Sequence, residues 1–188
     1  IRYAEARLGE WTLDLGSGRG QDVLRLAEAV GPNGRSYGLD VSDGMLDKSR
    51  RTAAKLGLRN VEFLKSELER IPLPNACLDL VLSNCTINHA ADKTAVWREI
   101  HRVLKPKGRF VVSDIYALED VPELYRNDPV AVSECWAGAV RRDVYFATLA
   151  SVGLIDVTVL EESAPYDKGQ IRVASFTLAG RKPCCCGG

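Results

Sequence analysis

Asp14-Leu15-Gly16-Ser17-Gly18-Arg19-Gly20 sits between a short apolar run, residues 11–15, and residues 21–30, where Val23, Leu24, Leu26, Ala27 and Val30 recur at helical spacing. A strand, a glycine turn and a helix in succession predict a parallel sheet whose strand ends face a ligand. Glycines let the backbone turn sharply and approach a bound group, while the helix N-terminus offers N–H groups with no intrahelical partner. The spacing is G-x-G-x-G, and Gln21-Asp22-Val23 adds no later glycine for a dinucleotide fingerprint. The turn therefore favours a nucleoside-type cofactor without a pyrophosphate, with Asp14, Gly16, Ser17, Gly18 and Gly20 as candidate contacts.

The same rhythm continues outward. A strand over 35–40 ends in Gly38-Leu39-Asp40. Asp40 lies about 20 residues past the last glycine, where an acid accepts hydrogen bonds from ribose hydroxyls. A helix over 43–56 stops at Gly57, and strands follow at 61–64 and 78–83. A helix over 92–104 ends at the turn Lys105-Pro106-Lys107-Gly108, before a strand over 109–115. Strands that are apolar at nearly every position, alternating with helices, predict an α/β fold: a mostly parallel sheet with helices on both faces. The rhythm breaks after Ile115. Residues 116–140 contain Pro122, Pro129 and irregular apolar spacing, and read as an insertion with short helices covering the active face. A helix over 141–152, closed by Gly153, precedes strands at 154–160 and 171–179. These form an expected C-terminal antiparallel hairpin, joined by a loop around residues 165–169. One domain over 1–183, with a cysteine-rich tail at 184–188, is the expected organisation.

Composition narrows the function. The 188 residues are 46% hydrophobic and 27% charged, ordinary values for a chain with a real core. Lys+Arg and Asp+Glu both number 25, which argues against a nucleic-acid binder acting through a basic surface. No apolar run approaches the roughly 20 residues that span a bilayer. No signal peptide is visible, and a first residue of Ile predicts that further N-terminal sequence is missing. Six cysteines in a chain of this size read as free thiols in a reducing cytoplasm rather than as a disulfide framework.

Together these features resemble the class I S-adenosylmethionine-dependent methyltransferases. The glycine turn is similar to their first motif, and Asp40 to their ribose-binding acid. Met45, in Asp43-Gly44-Met45-Leu46, stands where that family packs an apolar side chain on the adenine. Glu67-Leu68 corresponds to its loop at the adenine edge, and 103–109 to the turn before its fifth strand. The resemblance implies a Rossmann-like, seven-stranded sheet and S-adenosylmethionine as cofactor. Asn84, at the end of the fourth strand, joins the cofactor contacts it implies. It does not identify the methyl acceptor.

The acceptor has to be read from the thiols. Cys85 follows the fourth strand, at the carboxyl end of the sheet where open α/β folds bind ligands. Cys135 lies in the insertion. Cys77 leads into a strand and reads as a packing residue, the commoner role of a lone cysteine. Four stretches in order resemble the arsenite methyltransferase family: Ser83-Asn84-Cys85-Thr86-Ile87-Asn88, Asp92-Lys93, Ser113-Asp114-Ile115-Tyr116 and Glu134-Cys135-Trp136-Ala137-Gly138-Ala139. The tail Cys184-Cys185-Cys186 is similar to that of many bacterial members. The resemblance implies that Cys85 and Cys135 hold As(III) as catalytic ligands, with Cys184, Cys185 and Cys186 as further candidate ligands.

Trivalent arsenic is soft and prefers thiolate sulfur. Pyramidal on its sulfurs, it keeps a lone pair that can attack a sulfonium methyl in line, so no general base on the nucleophile is required. His101 reads as a helix-surface residue. His89 stands where the family more often has an apolar residue, and is not read as a base. Family members generally place another cysteine upstream of the glycine motif, and none occurs between Ile1 and Gly16. A small external thiol, a tail cysteine or missing sequence is then expected to supply a third sulfur. The implied substrate is arsenite or methylarsenite, with a thiol reductant, in arsenic detoxification; no nucleic acid or membrane partner is expected. Two alternatives stay open: a class I methyltransferase for another small carbon or oxygen nucleophile, and a non-catalytic thiol-based metalloid binder.

Overall fold

The computed structural model describes residues 2–184. Eight strands form a single sheet in the order β3-β2-β1-β4-β5-β8-β6, with β7 paired to β8 off that path. The strands are β1 Trp11–Leu15, β2 Arg35–Asp40, β3 Val61–Lys65, β4 Leu78–Asn84, β5 Leu104–Ala117, β6 Ile155–Glu162, β7 Tyr166–Lys168 and β8 Ile171–Arg181. β1 to β5 pair in parallel, and β8 lies antiparallel between β5 and β6. The chain order reverses between β1 and β4. In an open α/β sheet that reversal opens a crevice at the carboxyl ends of the strands, where ligands bind.

The helices begin and end for local reasons. α1 (Gln21–Val30) starts from Gly20 and stops at Gly31, both at positive φ. In α2 (Asp43–Lys55) the Ser42 hydroxyl accepts the Met45 N–H at 3.4 Å. In α3 (Lys93–Val103) the Asp92 carboxylate accepts the Ala95 N–H at 2.9 Å. Such caps satisfy N–H groups that have no partner inside the helix. α3 buries Val96, Trp97, Ile100 and Val103, and the Trp97 ring meets Phe110 edge-on at 5.1 Å. α5 (Arg142–Ser151) sends Tyr145 into the same core, 5.8 Å from Trp97 and 4.9 Å from Phe176. Edge-to-face pairs at these separations add to the stabilisation from burial.

Three expectations shift. The turn at 105–108 belongs to β5, whose pairing with β4 slips between Leu78 and Leu80, so an irregular strand replaces a loop. β5 also runs on to Ala117 because β8 pairs with it up to Val173, so the irregular stretch begins two residues later than the apolar pattern suggested. Tyr166–Lys168, expected in a loop, forms β7. Gly169, at φ 57°, and Gln170 join Lys168 to Ile171, a two-residue hairpin in which glycine supplies the positive φ.

After β5, a short 3-10 turn (Glu123–Tyr125) and α4 (Pro129–Ser133) lead to Cys135. The Asp128 carboxylate caps α4 through the Val130 and Ala131 N–H groups. Ala131, Trp136, Ala137 and Ala139 form a small core with Ile115, Ala117, Ile171 and Val173. Among the described residues no helix is long and apolar enough to cross a membrane.

Candidate functional site

Gly16 marks the meeting point of two cavities at the switch between β1 and β4. One, about 360 Å³, is lined by Asp14, Gly16, Ser17, Arg19, Gln21, Asp22 and Asn84. The other, about 660 Å³ and largely apolar, is lined among others by Gly16, Asp40, Val41, Glu67, Leu68 and Thr86. Gly16 has φ 67°, and a Cβ there would lie 2.2 Å from Thr86 Cγ2, so only glycine brings the turn this close to the segment after β4. A Cβ on Gly20 would meet Phe63 and Ser49 at 2.9 Å, whereas Gly18 faces open space.

The acids differ in state. Asp14 is 6% exposed and accepts no hydrogen bond from the described residues. Burial, then Asp22 and Asp40, push its carboxyl up to about 8. Asp40 is anchored by two backbone donors, Gly18 N–H and Ser42 N–H, both at 2.8 Å. Those bonds leave further lone pairs on the carboxylate beside the larger cavity. Glu67 and Leu68 lie on that cavity's wall, as does Val41. Met45 is half-buried in the first turn of α2, outside the lining, so the apolar wall forms one turn earlier than the sequence suggested.

The thiols converge. Cys85 leaves β4 with φ 52°, its N–H donating to Ser113 O at 2.8 Å. Cys135 leaves α4 with φ 64°. Both backbones sit in the left-handed region that L residues rarely occupy. The two thiols interact directly, the contact opposing ionisation of Cys85 and favouring that of Cys135. Burial first, then Asp114, raises both, Cys85 to about 11. Asp114 is itself 1% exposed, and burial pushes it up to about 7 against the Ile115 N–H and the Lys93 ammonium. His89 Nε2 lies 3.2 Å from Cys135 Sγ. Cys77 is a half-buried thiol against the main core, away from this pair. Cys184 is exposed, and Cys185 and Cys186 lie outside the described residues.

A family model described as a methyltransferase domain matches residues 8–172. The chain belongs to that family. Among curated relatives of this methyltransferase domain, the arsenite methyltransferase of Halobacterium salinarum is 35% identical over 96% of this chain and 49% of its own length. That of Aquipseudomonas alcaligenes is 33% identical over 92% and 56%. The methyltransferase domain thus spans about half the length of the curated relatives it matches. The crystal structure of an arsenic(III) S-adenosylmethionine methyltransferase from Chlamydomonas reinhardtii superposes with a TM-score of 0.83 at 32% identity, covering 95% of this chain and 65% of that one.

What brings the thiols of this methyltransferase domain together was not evident from motif reading. The buried Asn88 amide donates to Ile115 O at 2.7 Å and to Cys135 O at 3.0 Å, tying the insertion to β5. Gly138 packs on the same residue. Glu134 reaches β7 through Lys168 at 2.7 Å and holds the Trp136 indole N–H at 3.1 Å. Asn88 and Gly138 stood inside the quoted motifs, but an amide and a glycine carry no reactivity of their own. Only the fold gives them a role.

Proposed function

We propose that this domain transfers methyl groups from S-adenosylmethionine to trivalent arsenic held by Cys85 and Cys135. The observation that carries the reading is the convergence of two thiols, from separate segments, beside cavities that meet at the glycine turn.

The residues fit such a cofactor. Asp14 is a buried carboxyl with no protein donor, the environment in which a ligand ammonium would favour its ionised form. Asp40 presents fixed oxygens to ribose hydroxyls, and Val41 and Leu68 offer an apolar wall to a flat base. Ser17 and Asn84 line the smaller cavity, where the methionine portion would lie. When bound, S-adenosylmethionine supplies an electrophilic sulfonium methyl.

The protein's own contribution is to hold and orient the acceptor. Two thiols condensing with As(OH)₃ form two As–S bonds and release two waters, each thiol proton leaving with a hydroxide. Capture therefore needs no prior thiolate, which suits thiols whose ionisation burial opposes. Pinning the Cys135 backbone through Asn88 holds its segment in place; positioning of this kind lowers barriers by up to roughly 7–11 kcal/mol. Three unbridged thiols at positions 77, 85 and 135 suit a reducing compartment, and cytoplasmic arsenic detoxification with an external thiol reductant is the proposed setting.

The test is a turnover assay with S-adenosylmethionine, excess thiol and either arsenite or methylarsenite. Methylated arsenic should form, and Cys85→Ser and Cys135→Ser should each lose it by at least about a hundredfold while still binding the cofactor. Cofactor binding without any methylated arsenic would overturn the reading.

A further inference from the structure

The hairpin of β7 and β8 holds the insertion at three places. At the entry, the Leu118 N–H donates to Arg172 O at 2.9 Å, and the Arg172 N–H donates to the Glu119 carboxylate at 3.0 Å. In the middle, Tyr125 lies against the turn: a Cβ on Gly169 would be 2.6 Å from both its Cζ and its hydroxyl oxygen. At the exit, the Lys168 ammonium donates at 2.7 Å to Glu134, the residue before Cys135. Tyr125 and Glu134 also meet on Trp136, one through rings whose centroids are 4.9 Å apart, the other through the indole N–H. Residues 119, 125 and 134 of the insertion thus answer to 172, 169 and 168 of the hairpin. The insertion is wrapped around the hairpin turn.

β7 has three residues and, among the described residues, pairs with β8 alone, so sheet formation does not account for these ties. Gly169 supplies the left-handed turn at φ 57° and, lacking a side chain, the space that Tyr125 fills. Tyr166, at the start of β7, faces the same region: burial raises its phenol, Lys168 opposes the rise, and Cys85 and Glu134 add to it. We propose that the hairpin turn is a clasp that seats Cys135 against Cys85, with Lys168 and Gly169 as positioning residues acting through Glu134 and Tyr125. The inference rests on the arsenic reading for its effect on turnover. Seating the segment matters before arsenic joins the two sulfurs. Once both As–S bonds exist, the arsenic itself holds the segments together. Loosening the clasp therefore raises the arsenite concentration needed and leaves the saturated rate almost unchanged.

The experiment uses the full chain and changes the clasp at two points. Lys168→Met removes an exposed ion pair, a kind that adds little to stability, and Lys168→Arg keeps it. Gly169→Ala presses on Tyr125. Gly57→Ala, at φ 68° with no atom within 4 Å, carries the same backbone strain with nothing to displace. Two quantities are read: amide hydrogen exchange over residues 119–137 in the protein alone, and KM and kcat for arsenite with saturating cofactor and thiol. Lys168→Met should speed that exchange severalfold and raise KM about threefold at constant kcat, and Lys168→Arg should return both toward wild type. Gly169→Ala should raise KM about tenfold, while Gly57→Ala leaves it unchanged. A wild-type KM in both Lys168→Met and Gly169→Ala, whatever the exchange does, would overturn the clasp and leave the arsenic reading intact. Faster exchange in these two variants, with no methylated arsenic from any form including wild type, would support the clasp and remove the arsenic reading.

Discussion

A Cβ built on Gly138 would lie 2.0 Å from the carbonyl oxygen of Asn88, so the insertion and the segment after β4 touch backbone to backbone. That contact sets how near Cys135 comes to Cys85. Gly138→Ala should push the two segments apart, weakening arsenite capture about tenfold and costing roughly 1–3 kcal/mol, as overpacking usually does. Gly44→Ala is the comparison: the nearest atom to its Cβ is Ser42 Oγ at 4.0 Å, and Ala in helix α2 should be neutral or slightly stabilising. Thermal melts and arsenite titrations of both variants check this. Unchanged capture in Gly138→Ala would remove the contact from the account.

Gly16→Ala should act on the cofactor instead. It forces a side chain into left-handed backbone and against Thr86, moving the turn where the two cofactor-side cavities meet. We expect S-adenosylmethionine affinity to fall at least about tenfold by equilibrium dialysis, with arsenite capture by the thiols little altered.

The buried acids give stability a definite pH dependence. Asp14 is raised to about 8 and Asp114 to about 7 by burial, from an ordinary value of 3.8. Above about pH 4 the unfolded chain has lost these protons while the folded chain keeps them, so stability falls as pH rises. The decline runs to about pH 7 for Asp114 and about pH 8 for Asp14, at no more than ~1.4 kcal/mol per pH unit for each group. Asp14→Asn should flatten the upper part of the melting curve against pH. Bound cofactor should flatten it too, because its ammonium favours the Asp14 carboxylate. A Tm that rises from pH 5 to 8 would refute the assignment.

Deleting residues 184–188 should weaken arsenite capture at low concentration yet spare turnover at saturating arsenite, if the cysteines there collect the metalloid. Complete loss of turnover would place the tail within the catalytic centre.

The cofactor cradle was legible because its signal is local: glycines, a strand end and an acid at fixed spacing describe one βαβ unit. The thiols were legible through their motifs. Asn88, Gly138, Lys93 and Asp114 were not, since what each does depends on a partner far along the chain. β7 escaped notice because Tyr-Asp-Lys carries no apolar alternation; β8 recruits it. Val41, which no motif singled out, lines the larger cavity because it directly follows Asp40 at the end of β2, while Met45 lies in the first turn of α2 outside that lining.

The burial that keeps Cys85 protonated has a chemical corollary. Peroxides and alkylating agents attack thiolates, and a thiol held near pKa 11 offers them almost none at neutral pH. Arsenite brings its own hydroxide to carry the proton away, so it can engage sulfurs that those reagents pass over. If Cys85 takes up arsenite as proposed, its burial would thereby sort reagents by leaving group, shielding the sulfur from oxidants and alkylating agents between turnovers while leaving it open to the metalloid.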